Sequence, residues 1–518
     1  MNLWKATGTI GGLTMVSRIL GFVREMIFAR IMGASMAADA WALAFIIPNL
    51  FRRLFGEGAF SAGFVPLFSA RLNGEGGMEE ARRFAEEVLA VFLPILMAVT
   101  LVFEIFMPAF VAVQAAGWRD DPEKFALAVE LTRVTFPYLI FISLVSLFSG
   151  VLNSLTRFTA AAFAPALLNI ALIGALVLAP EGGPATAEAM VWGVIAGGVL
   201  QLALCWASTR RAGLKLRLRP PKMTPRVKEL LILILPATLG SGIYYISQSF
   251  YAYFATSLPQ GSLVYLGFAD RLNQLPLAII GSALGTAILP AISRAVDRGE
   301  DQGAARTQSQ ATELAMLLTL PAAVAIGVAA NELASAIFQR GEFTAADAAT
   351  TGLVLSIIVA GLPAYVMIKV LTPGFYARKD MKTPVGIAFA MLLVGVAMNF
   401  ILLPHLGIAA LALSTAATAW FNALALYVIL HARGHFRIDA PLASRLVRQL
   451  IAAGAMAAAL WFVTGQLSSF FAGSEGRRLV AVAALVSAGG ITYFAVAWVI
   501  GAMNRDDILF LLRRKKAA

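Results

Sequence analysis

Apolar residues run along this chain in stretches of about 20 or more, separated by short polar turns, and that spacing predicts membrane-spanning helices. Fourteen stretches are read, at 8–31, 37–67, 81–112, 124–152, 158–180, 186–209, 225–256, 261–293, 306–338, 344–375, 382–404, 407–432, 442–466 and 477–503. The expected fold is an all-α integral membrane protein with 14 transmembrane helices. Several stretches are longer than a bilayer requires, which predicts tilt, bends or protruding ends. Prolines within them (Pro48, Pro66, Pro94, Pro137, Pro236, Pro276, Pro290, Pro321 and Pro363) predict bends.

The pattern repeats. Shifted by 224 positions, Pro66 falls on Pro290, Ser69 on Ser293, Ala81-Arg82 on Ala305-Arg306, Gly150 on Gly374 and Thr159 on Thr383. Matches in three segments at one offset predict a duplication of six spans. An even number of spans makes the copies parallel repeats about an axis along the membrane normal, with the substrate site expected between them, in a central cavity. The expected division is an amino-terminal lobe at 1–221, a second lobe at 222–440, and an appendage at 441–518 with two further helices and a basic tail.

Composition agrees with a membrane class: 59% of residues are hydrophobic and 14% charged, with mean hydropathy +0.79, where a soluble protein has about 25% charged residues. With the amino terminus inside, 28 of the 41 Lys and Arg fall on cytoplasmic connections and the tail. Five fall outside: Arg119, Lys124, Arg340, Arg477 and Arg478. This asymmetry predicts both termini in the cytoplasm, and it accounts for most of the net charge of +12 without nucleic acid. The basic stretch from Arg210 to Lys228 is expected to lie near anionic headgroups. No cleaved signal is expected, because Arg18 and Arg24 interrupt the first apolar run. The single Cys205 excludes an internal disulfide, and His431 and His435 lack a third ligand nearby, so no metal centre is expected. No strand–glycine–helix pattern announces a nucleotide, and no cofactor is expected.

The remaining cations carry the candidate chemistry. Arg18, Arg24, Arg30, Arg52, Arg53, Arg133, Arg271 and Lys369 sit inside apolar stretches, where each costs roughly 2.5–3.5 kcal/mol even on the mildest insertion scale. Five acids are singled out beside them in apolar stretches, Glu25, Asp39, Glu57, Glu104 and Asp270. The excess of cations points to a hydrated cavity that attracts an anion, and the fork of a guanidinium fits phosphate oxygens. Ser17, Gly21 and Arg24 follow i, i+4, i+7, while Arg18 and Glu25 share a face. Asn49 precedes Arg52 and Arg53 by three and four residues, with Asp39 fourteen residues before Arg53. Gly21 and Pro48 are candidate hinges. Competing readings are plain: Arg30 snorkels, Arg53 pairs with Glu57, Arg133 anchors, and Glu104 is a proton site or a packing acid. The pairs Gly193/Gly197 and Gly281/Gly285 read as helix-packing features.

The opening SRILGFVREMIFARIMGASMAADAWALAFIIPNLFRRLFGEGAFSAGFVP, with FADRLNQLP, ALGTAILPAISR, FQRGEF and KVLTPGFYARKDMKTP, closely resembles the MurJ (MviN) family of the multidrug/oligosaccharidyl-lipid/polysaccharide exporter superfamily. The resemblance runs through all fourteen stretches. It implies a flippase, not an enzyme, for lipid II, the undecaprenyl-pyrophosphate-linked disaccharide-pentapeptide, moved from the cytoplasmic to the periplasmic leaflet of the bacterial inner membrane by alternating access. It implies two six-helix lobes around a central cavity, and a groove for the lipid tail on the last two helices. It implies substrate-binding roles for Arg18, Arg24, Arg52, Arg271 and Lys369, with Asp39 as a required acid. Ser17 and Asn49 join the candidate binding set, and Glu25, Arg53, Glu57 and Asp270 are candidate pairing residues. The expected partners are lipid II, the bilayer and cell-wall synthesis proteins; membrane potential or an ion could couple the cycle.

The sequence departs from the family in places. The seventh and eleventh stretches hold no acid, only polar groups such as Asn399, where some members bind sodium. Glu25 stands where some relatives have Asp, and Gln274 where some have an acid. Alternatives are a flippase for another polyprenyl-linked precursor, or a drug or cation exporter, whose cavity should be acidic or apolar. A membrane enzyme would need catalytic acids on a sizeable outer loop, and the outer connections here are short.

Overall fold

The computed structural model describes the backbone of residues 3–56 and 59–504, and their side chains except at 3–7, 47–56, 59, 62, 235–246 and 282–287. The described chain is built of α-helices joined by short turns, and it forms two compact units, 1–264 with 340–343, and 265–339 with 344–518.

The first unit contains α1 (Leu3–Met32), α2 (Met36–Gly56), α3 (Ala59–Leu72), α4 (Gly77–Ile105), α5 (Met107–Gln114), α6 (Pro122–Thr135), α7 (Tyr138–Ser154), α8 (Thr159–Leu178), α9 (Gly183–Arg211) and α10 (Pro225–Thr256). Helix α11 (Ser262–Asp297) begins in it and continues into the second. The second unit holds α12 (Asp301–Val328), α13 (Ala330–Phe338), α14 (Ala345–Val359), α15 (Leu362–Tyr376), α16 (Lys382–Leu406), α17 (Ile408–Ala432), α18 (Ala440–Gln466), α19 (Ser468–Phe471) and α20 (Glu475–Val499). Local chemistry sets several starts: Asp121, Thr224, Thr344 and Asp439 accept first-turn N–H groups of α6, α10, α14 and α18.

Among the described residues ten helical stretches are long and apolar enough to cross a membrane. The other four expected stretches are helical in α1, in α2 and α3, in α10 and in α11. Four expected single spans are each two helices. The breaks fall between α4 and α5, α6 and α7, α12 and α13, and α14 and α15. Pro137 and Pro363, expected to bend helices, instead stand at breaks: Pro137 caps α7 and Pro363 occupies the first turn of α15. A proline nitrogen cannot donate to the preceding turn but is tolerated where a helix begins. At the second break Gly361 presses on α17, where a Cβ would stand 2.9 Å from Ala416 Cα.

Side-chain size governs packing. In α9, Gly193 and Gly197 let α8 approach; a Cβ on Gly197 would meet Leu168 Cα at 3.1 Å. Phe60, Phe64, Phe68 and Phe84 stack through α3 and α4 with centroids 5.3–5.6 Å apart. In the second unit, Met456 and Leu460 of α18 and Leu485 and Tyr493 of α20 form a core with Leu317 of α12. Residues 340–343 join the first unit through the Glu342 N–H, which donates to the Arg30 carbonyl at 2.9 Å. Packing thus divides the chain differently from the expected lobes, since α10 lies with α3 in the first unit.

The basic stretch 210–228 is strapped to α4 by acids. Fully buried Glu86 accepts from Arg219 Nε at 2.6 Å and the Arg217 N–H at 3.1 Å, and Glu87 accepts from Thr224 at 2.8 Å. Arg226 pairs with both Glu80 and Glu87. Two of its cations, Arg219 and Arg226, are therefore committed to protein carboxylates, and Arg210, Arg211, Lys215, Arg217, Lys222 and Lys228 remain exposed.

Candidate functional site

Helix α1 presents Ser17, Arg18, Gly21, Arg24 and Glu25. Arg18 is exposed, whereas Arg24 is buried at 6% exposure. A buried guanidinium requires acceptors, and two are provided. Arg24 Nη1 donates to Asn169 Oδ1 on α8 at 3.1 Å, and Nη2 forms an ion pair with Glu25. The guanidinium carbon lies 5.9 Å from the centre of the Phe45 ring. The Asn169 amide also donates through Nδ2 to the Ser17 carbonyl at 3.0 Å. Gly21 faces this amide, and a Cβ there would stand at an ordinary contact distance of 3.6 Å from Asn169 Nδ2. Glu25 thus serves Arg24, its neighbour in sequence, rather than Arg18 across the shared face.

Asp39, only 2% exposed on α2, accepts from Lys124 Nζ at 3.0 Å and from the Gly261 N–H at 2.8 Å. Lys124, expected on an outer connection, is 5% exposed, with Nζ 4.3 Å from the Trp118 ring centre. Asp39 is committed to this clamp. The candidates Pro48, Asn49, Arg52, Arg53 and Glu57 lie outside the described residues, Glu57 entirely and the others in their side chains.

In the second unit, α11 carries Asp270 and exposed Arg271, and Asp270 accepts from Gln274 one turn on. Exposed Lys369 on α15 lies across α11 at Gly281, where a Cβ would be 2.9 Å from its Nζ. Gly281 is therefore more than a packing glycine: it makes room for the lysine. Asn399, singled out on α16, is 2.5 Å from Ser414 Oγ of α17. Glu104 is half-buried on α4, with Oε1 enclosed and lacking a hydrogen-bond partner among the described residues.

Where α15 and α17 end and α12 and α16 begin, polar side chains cluster. His431 lies in the last turn of α17, its ring 5.8 Å from that of Tyr427, and His435 lies beyond the helix. Arg433 pairs with Asp380 at 2.6 Å, and Arg378 with Asp301 at 2.8 Å. Hydrogen bonds from Arg433 and Thr383 hold the Asp380 carboxyl well below the usual carboxylate range. Burial, then Arg378 nearby, pushes the His435 imidazole below its ordinary value.

Three contributors escaped the sequence reading. Asn169 left a usable signal, as a lone amide within the apolar run of α8. Lys124 and Gly281 left none, because their partners lie far away in the chain. Chemically, Arg18, Arg24, Arg271 and Lys369 offer donors for oxyanions. Among the described residues, no group of three or more His, Cys, Asp or Glu converges to hold a metal.

The family model described as "Lipid II flippase MurJ" matches residues 28–481. The chain is 40% identical to the probable lipid II flippase MurJ of Rhizobium meliloti (strain 1021), covering 100% of this chain and 98% of that one. It is 35% identical to the lipid II flippase MurJ of Burkholderia cenocepacia, covering 97% of this chain and 98% of that one. Among solved structures, a lipid II flippase MurJ in an inward closed conformation superposes with TM-score 0.77 at 24% identity, covering 98% of this chain and 99% of that one.

Proposed function

We infer the working of this chain from one premise: it belongs to the lipid II flippase MurJ family. It is a multi-pass inner-membrane transporter rather than an enzyme. It flips lipid II, and through that substrate it serves peptidoglycan and cell-wall synthesis.

The finer reading is our own. Movement runs from the cytoplasmic to the periplasmic leaflet by alternating access, with both termini cytoplasmic. The fold has 14 spans in two parallel six-helix lobes, 1–221 and 222–440, and 441–518 carries the lipid-tail groove. Element boundaries support the duplication: α4 and α12 begin at Gly77 and Asp301, and α7 and α15 at Tyr138 and Leu362, 224 residues apart in each case. Both copies also break before their matching short helices, α5 and α13.

Lipid II offers a diphosphate, a large polar head and a polyprenyl tail. Arg24, Arg52 and Arg271 hold the diphosphate, with Arg18 beside them and Lys369, Ser17 and Asn49 lining the path. Glu25 pairs with Arg24 when the substrate is elsewhere, and Arg53, Glu57 and Asp270 balance charge. Asp39 acts through its clamp with Lys124 and not by touching substrate. Gly21 and Pro48 are the hinges, and the membrane potential, worth about 2.3 kcal/mol per charge per 100 mV, assists the return. Cell-wall synthesis proteins are the expected neighbours. The observation that carries the site is Arg24, buried yet held by an acid and a neutral amide.

Arg24→Ala and Arg271→Ala each abolish complementation of a flippase-depleted cell while the protein still inserts, and labelled lipid II in reconstituted vesicles stays unflipped. Full growth with either variant removes that residue from the site.

A further inference from the structure

Apart from Thr159 at its start, α8 is apolar except for Asn169. An amide in such a helix needs partners, because lipid supplies none. Asn169 finds two of opposite kind, the donor Nη1 of Arg24 and the acceptor carbonyl of Ser17. Arginine can only donate and a carbonyl can only accept, so the orientation of the amide is fixed. Both partners lie on α1, one turn to either side of Gly21, so the amide ties α8 to that stretch of α1.

An aspartate at 169 would also accept from Arg24. It would turn an oxygen toward the Ser17 carbonyl and place a second carboxylate beside one guanidinium that already has Glu25. Two acids around one arginine cancel its attraction for an anion. A leucine would leave the carbonyl and the guanidinium without the amide. Asparagine alone among these fixes the arginine without adding to the negative charge that Glu25 already supplies.

We propose that Asn169 is a positioning residue for lipid II binding, aiming Arg24 at the diphosphate without neutralising it. This rests on the reading that Arg24 meets the diphosphate.

The test is titration of purified full-length protein in detergent with lipid II, each variant also being checked by thermal unfolding. Asn169→Ala weakens binding about tenfold, the scale of one hydrogen bond to a charged group. Asn169→Asp keeps the size and the Arg24 acceptor yet weakens binding more than Asn169→Ala; a residue that only braced the helices would show the reverse order. In an Arg24→Ala background, Asn169→Ala adds no further loss, because the amide acts through the arginine. Wild-type affinity in both Asn169 variants, the reverse order, or full additivity with Arg24→Ala overturns the proposal while leaving Arg24 in the site. If Asn169→Ala fails to fold, the isosteric Asn169→Asp alone carries the test: weakened binding supports the proposal and wild-type affinity overturns it. Unchanged affinity in Arg24→Ala alone is a separate failure: it removes Arg24 from the substrate and Asn169 with it.

Discussion

A single side chain inside this protein is judged by what it touches. Asp39 and Lys124 are both almost fully buried and 3.0 Å apart. Removing one leaves the other charge enclosed without its counter-ion, which destabilises a fold by roughly 3–5 kcal/mol. Lys124→Met should therefore lower the unfolding temperature of the purified protein markedly. Asp39→Asn combined with Lys124→Met should recover much of that loss, since no charge is then stranded. An unchanged unfolding temperature in Lys124→Met would show that the clamp carries no stability. Spacing along α2 aligned Asp39 with Arg53; the lysine that claims Asp39 sits 85 positions away, and no local pattern announces such a partner.

Between elements, backbone conformation decides. Gly33 and Gly341 both adopt φ +54°. A Cβ on Gly33 would come within 2.6 Å of the Glu342 carbonyl oxygen, and one on Gly341 would overlap the Arg30 carbonyl oxygen. Gly299 has φ +72° but open space around it. Gly341→Ala should thus lower thermal stability well beyond Gly299→Ala, which carries only the left-handed strain of roughly 1 kcal/mol. Equal losses would mean that the Arg30 contact yields easily. His435 gives an element-level pH dependence where α15 and α17 end and α12 begins. Its folded pKa lies below the ordinary 6.5, so the unfolded chain takes the proton first and stability falls as the pH drops below about 6.5. Asp380 works in the same direction at lower pH, because its carboxyl is held below its usual value and its contribution fades only in acid. His435→Gln should flatten the unfolding temperature across roughly pH 5 to 7.5; an unaltered profile would assign the dependence elsewhere.

For the whole molecule, the distribution of Lys and Arg predicts an orientation with both termini in the cytoplasm. A fluorescent protein that matures only in the cytoplasm should glow when fused after Ala518. Alkaline phosphatase, active only in the periplasm, should be active when fused in the connection before Arg477. The reverse pair of outcomes would invert the topology and, with it, the proposed direction of lipid II movement. The same scale bears on the basic stretch 210–228. The positive-inside tendency predicts where such a loop lies; acids on α4 engage Arg219 and Arg226, while Arg210, Arg211, Lys215, Arg217, Lys222 and Lys228 stay exposed.

Hydrophobic period and length, together with the sparse charges, determined by themselves a helical membrane protein, because lipid leaves a buried backbone few alternatives to the helix. The motif-bearing segments carried the family, and the cations inside apolar runs marked Arg18, Arg24, Arg271 and Lys369. Only the tertiary structure decided that Glu25 and Asn169 share Arg24, that Lys124 holds Asp39, that Gly281 yields space to Lys369, and that Pro137 and Pro363 stand at breaks. The physical reason is one of range: periodicity and insertion energy act within a helix, whereas hydrogen bonds and close approaches join residues that only folding brings together.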